Sequence, residues 1–212
     1  MVDAAAVQEL THGERRRLVE ILDRLTPEQW EATSACPRWS VEGVVAHLSA
    51  AASTTTRQWI VSIVRSRFDP DRHNDRLIAR HRGATPGETL ETFRGLVASR
   101  TAAAGAHVAM LGEVVVHAQD IVRPLGLELV PDQTAVLEVA RFFATKDFAV
   151  NSRTLVRGLS LKADDAPFDV GSGPLVTGEL LTLTLAMAGR ADAAAELAGP
   201  GAEELLHRIE IA

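Results

Sequence analysis

The chain has 212 residues, with 22 Lys and Arg against 28 Asp and Glu, a formal net charge of −6, 46% hydrophobic and 24% charged residues. That balance excludes a mainly disordered chain and leaves no basic patch of the kind nucleic acid requires. The single cysteine, Cys36, excludes intramolecular disulfides and cysteine-rich zinc modules, so any metal must be held by His, Asp or Glu. The length suits one large domain or a domain with a smaller appendage. The N-terminus lacks a basic stretch followed by an apolar one, and no apolar run approaches the roughly 18 residues of a membrane span. The expectation is a cytoplasmic protein with neither nucleic acid nor membrane as partner. Abundant Ala, Arg in place of Lys, and the absence of Tyr fit a GC-rich bacterial genome.

Helical periodicity dominates the first 150 residues. Leu10, Leu18, Ile21, Leu22 and Leu25 form the apolar stripe of a first helix over about 7–25, with Arg15, Arg16 and Arg17 on its solvated face. Thr26, Pro27 and Gln29 carry the signature of a capped helix start. Ser40 caps a second long helix, expected to run from Val41 to about Arg65, with Trp39 stapled onto Val44 or Val45. Asp69-Pro70 interrupts it, and a polar, partly helical stretch runs to Arg82. Thr85-Pro86-Gly87-Glu88 opens a helix to about Ala103. Another spans about 111–122, and one more begins at Pro131. After Asn151 the pattern changes to three short strands: Leu159–Ala163, Phe168–Val170 and Leu175-Val176. Thr177 is expected to cap a helix over Glu179–Met187, and a last helix covers Glu203–Ile209. The division is a helical bundle, 1–150, and a small α+β piece, 151–212.

Chemistry concentrates in Gly112-Glu113-Val114-Val115-Val116-His117-Ala118-Gln119-Asp120. Glu113 and His117, four apart, lie within about 40° of one another on a helix. A carboxylate flanked by valines needs a partner. His47 stands among apolar residues of the second helix, on the face expected to point inward. Taken singly, the pair is an ordinary helical ion pair and His47 a core histidine. Taken together, they are a candidate metal site of two imidazoles and one carboxylate, suited to zinc or a similar ion and leaving a position open. Asp120 is either a hydrogen-bond partner for a ligand imidazole or an ion-pair partner of Arg123. Cys36 reads as a packed thiol rather than a reactive one. His73 and His81, in a charged stretch, are expected to be solvated.

These segments also carry a family resemblance. Trp39-Ser40-Val41 with Val45-Ala46-His47-Leu48, and the run from Gly112 through Asp120 to Arg123-Pro124-Leu125-Gly126, resemble the DinB-like, mycothiol-dependent maleylpyruvate isomerase superfamily. The resemblance extends over nearly the whole chain, ending in Ala188-Gly189-Arg190. It implies a mainly α fold, a DinB-like four-helix bundle followed by a small α+β piece. It implies a divalent metal, zinc-like, held by His47, Glu113 and His117, with mycothiol as cofactor and Arg190 in thiol binding. The implied activity is isomerisation or thiol transfer on small electrophilic substrates. The alternatives are a metal-dependent hydrolase using metal-bound water and a non-catalytic metal-binding or regulatory module.

Overall fold

The computed structural model describes residues 2–67, 69–148 and 150–212. They fall into two compact units: Asp3–Pro131, and Asp132–Ala212 joined by the extreme N-terminus. The architecture is the expected one, a helical bundle followed by a small α+β piece.

In the first unit, α1 (Ala4–Leu22) starts at Asp3, whose side chain accepts from Ala6 N. The short α2 (Pro27–Glu31) has the reciprocal capping box of Thr26 and Gln29. α3 (Val41–Ser53) is capped by Ser40, as its sequence implies. It does not continue to Arg65. Thr55 instead forms a second capping box with Gln58 and starts a separate helix, α4 (Thr56–Arg65). The Ser-Thr run thus outweighs a hydrophobic period that crosses it without interruption, because its hydroxyls offer the backbone a competing set of hydrogen bonds. α4 is inside out: Ser62 and Ser66 are buried while Trp59, Ile60, Val61 and Val64 are exposed.

The polar stretch forms a complete helix, α5 (Pro70–His81), and α6 (Pro86–Gly95) ends eight residues before Ala103. A 3-10 turn follows, and then α7 (His107–Val122), one turn longer at its start than expected. α1 packs on α7, and α3 packs on α5, α6 and α7. Their shared core is built from Leu18, Leu22, Val44, Val45, Leu48, Phe93, Val114 and Ile121 with their neighbours. Arg15 departs from the expected solvated face. It is 2% exposed and donates from Nη1 to the carbonyls of Leu96, Val97 and Ser99, holding the chain end beyond α6.

The second unit begins with α8 (Gln133–Thr145), capped by Asp132, and the short α9 (Ser152–Leu155). Strands β1 (Ser160–Ala163), β2 (Asp169–Gly171) and β3 (Leu175–Gly178) form a sheet of order β2-β1-β3. β1 pairs antiparallel with β2 and parallel with β3, with Leu161 opposite Val170 and Val176. Thr177 lies within β3 and does not cap the next helix. α10 (Leu180–Met187) is met by Asp165, whose Oδ1 accepts from Leu180 N at 2.8 Å. α10 packs on α8, and α11 (Ala191–Ala194) and α12 (Ala202–Glu210) complete the unit.

Candidate metal centre

The centre is assembled by two helices of the first unit. α3 contributes His47 and α7 contributes Glu113 and His117. Glu113 Oε2 lies 2.9 Å from His47 Nε2 and 3.3 Å from His117 Nε2. One oxygen thus sits between the two ring nitrogens. The three ligand atoms all lie within 4.8 Å of one another. The side chains retain 13%, 18% and 12% of their exposure, for His47, Glu113 and His117 respectively, so the cluster is recessed but still accessible.

Beyond this cluster, His117 Nδ1 is 2.8 Å from Asp120 Oδ2. A carboxylate only accepts, so the ring nitrogen donates. Asp120 is 1% exposed, and this contact meets one of its two sequence readings, partner of the imidazole. With a carboxylate at each ring nitrogen, His117 favours its imidazolium form. Burial alone would lower its pKa, but the hydrogen bonds with Asp120, Cys36 and Glu113, and the charge of Glu113, raise it well above the ordinary histidine value. Burial pushes Glu113 up, but the hydrogen bonds from His117 and His47 and their charge hold it well below the usual carboxylate range.

The donor set fits a divalent ion of the zinc class: two imidazole nitrogens and one carboxylate oxygen, on rigid helices, with a protein carboxylate behind one imidazole. His47 is held differently. Its Nδ1 is buried without a hydrogen-bond partner among the described residues, and its ring stacks on Trp39 at 4.8 Å between centroids. Gly43 leaves Trp39 room beside the helix: a Cβ there would lie 3.2 Å from Trp39 Cβ, a tight contact. Trp39, Gly43 and His47 are spaced four apart, and this pattern in the sequence was the available signal for the contact.

His73 is a second departure. It is buried, not solvated, with its ring 6.2 Å from that of Trp59. Burial first, and then the charge of His47, lower its pKa, against a hydrogen bond to the Ser62 backbone. His81 is partly buried, bonded to Ser53 Oγ at 2.9 Å. Arg190 belongs to the second unit, between α10 and α11, where its Nη1 donates to Ala188 O at 2.6 Å.

Fold and site together define a class: a helical bundle carrying a His-Glu-His cluster across two of its helices. Residues 11–109 match the family model described as the mycothiol maleylpyruvate isomerase N-terminal domain, and the match takes in the Trp39–Leu48 segment of the resemblance. The chain is also similar to the crystal structure of the mycothiol-dependent maleylpyruvate isomerase, with a TM-score of 0.65 and 15% identity, covering 89% of this chain and 90% of that one. A histidine-to-alanine mutant of the mycothiol-dependent maleylpyruvate isomerase gives a TM-score of 0.64, 14% identity and the same coverage. No curated protein sequence matches. No helix among the described residues is long and apolar enough to cross a membrane.

Proposed function

We propose that the protein is a metal-dependent enzyme that uses a small thiol, mycothiol, in isomerisation or thiol transfer on small electrophilic substrates. The observation that carries this reading is the convergence of His47 Nε2, Glu113 Oε2 and His117 Nε2 within 4.8 Å, still partly accessible. The family match supplies the thiol. A bound zinc-class ion would supply Lewis acidity that raises the nucleophilic fraction of a thiol at neutral pH. The chain's own residues do the rest. Glu113 contributes the single negative charge among the three ligands. Asp120 keeps the Nδ1 proton of His117 in place, so the proton given up on metal binding is the one on Nε2, the ligand atom. The indole of Trp39 fixes the plane of His47. Arg190 is assigned to the thiol on the strength of the family resemblance, and a cytoplasmic setting goes with that assignment.

The test is metal analysis of protein purified without a histidine tag, followed by turnover of a panel of activated alkenes and amides with and without the thiol. The expected result is about one equivalent of metal per chain and thiol-dependent turnover of the alkenes. Turnover independent of thiol would establish the hydrolase instead. Absence of metal in an intact fold would establish a non-catalytic module.

A further inference from the structure

The one cysteine stands where the proposed chemistry gives it no direct part. Residues 32–40, between α2 and α3, fold back on themselves. Val41 N donates to Ala32 O at 2.9 Å, Ser34 N to Trp39 O at 3.1 Å, and Trp39 N to Cys36 O at 2.9 Å. The Ser34 hydroxyl accepts from Cys36 N at 3.1 Å and donates to Trp39 O at 2.9 Å. This closed strap is fastened to α7 by Ala35 N, which donates to Asp120 O at 2.9 Å. The backbone therefore determines where the thiol ends. Cys36 Sγ donates to Asp120 Oδ2 at 3.1 Å and lies 3.7 Å from His117 Nδ1.

The thiol of Cys36 and Nδ1 of His117 thus both donate to Asp120 Oδ2. With Asp120 almost fully buried, its rotamer is set by such protein donors. We infer that Cys36 is a positioning residue: its S–H holds the Asp120 carboxylate in the orientation that keeps the Nδ1 proton of His117 and aims Nε2 at Glu113 and His47. The inference rests on the reading of His47, Glu113 and His117 as metal ligands. Cys36 acts through Asp120 and does not itself ligate the ion.

The experiment uses the full chain, stripped of metal, as wild type, Cys36→Ala, Cys36→Ser and Asp120→Asn. Zinc affinity is measured by chelator competition, cobalt(II) loading by its absorption spectrum, and the fold of each metal-free form by thermal melting. Cys36→Ala is expected to bind zinc about tenfold more weakly, with Cys36→Ser recovering to within about threefold of wild type, since loss of a partner behind a ligand imidazole has this scale of effect. The cobalt ligand-field bands should move in Cys36→Ala and return in Cys36→Ser, while the metal-free melting temperatures stay together. In the Asp120→Asn background, Cys36→Ala should add less than about a twofold loss.

Equal zinc affinity of wild type and Cys36→Ala overturns the inference, as does a Cys36→Ser variant no better than Cys36→Ala. An intense near-ultraviolet sulfur-to-cobalt band, lost in Cys36→Ala, overturns it in favour of direct ligation. If wild type binds no metal, the ligand reading itself falls, and the inference with it. If Cys36→Ala does not fold, Cys36→Val takes its place with the same two outcomes.

Discussion

Glu113 and His117 move each other's titration in opposite directions, and this gives the metal-free protein a definite pH signature. The lowered Glu113 value means that its stabilising contribution is present above the unfolded carboxyl pKa, about 4.3, and is lost as pH falls through the folded value. The raised His117 value means that its contribution is complete below the unfolded imidazole pKa, about 6.5, and is lost as pH rises through the folded value. Both are present in full only between about pH 4.3 and 6.5. The melting-temperature difference between metal-free wild type and Glu113→Gln should therefore be greatest in that interval and shrink on either side. His117→Ala should lose metal and activity together, as equilibrium dialysis and turnover would show, while circular dichroism reports unchanged helix content. None of the three candidate ligand residues belongs to the apolar core cluster. At this scale the sequence was informative where helical geometry governs: Glu113 and His117 share a face through their spacing alone. It was silent on the contact of Cys36 with Asp120, because the strap that makes it has no period to read.

Three helix starts were legible because the cap is local. Ser40, Thr26 and Thr85 all accept from the residue three positions on. The start of α10 was not, because its cap comes from Asp165, fifteen residues earlier. Only the sheet brings that loop to the helix. Asp165→Ala should lower stability by about 1 kcal/mol, the usual loss for an N-cap, measured by urea unfolding. The turn between β2 and β3 is a stricter case. Gly173 has φ of +128°, and a Cβ there would lie 2.0 Å from Gly158 O. Gly173→Ala should therefore cost more than about 1 kcal/mol, with the same measurement as the check. The separation of α3 from α4 shows the converse limit of pattern reading. The hydrophobic period continues across residues 53–56, yet the Thr55–Gln58 capping box begins a new helix there.

The first unit has an apolar core independent of its metal-ligand candidates, so the fold does not require an ion. Chelation should leave the far-ultraviolet dichroism unchanged, and saturating zinc should raise the melting temperature, by about 2.7 kcal/mol of stabilisation at a hundredfold excess over Kd. A zinc-finger-like collapse on chelation would contradict this. Overall fold class was legible because the change from period 3.6 to period 2 after Asn151 is abrupt. The grouping of α8 with the residues that follow it was not, because packing of α8 on α10 joins segments some forty residues apart. The small sheet has one further consequence. The outer side of β3 is occupied: Thr177 and Ala198 exchange backbone hydrogen bonds at 2.8 and 2.9 Å, and Gly201 N donates to Leu175 O. The opposite border, β2, is three residues long and opens on a charged aspartate, Asp169. Neither margin offers a long, bare ladder to a stranger's strand, so crowded or freshly synthesised copies gain little by zipping together through this sheet.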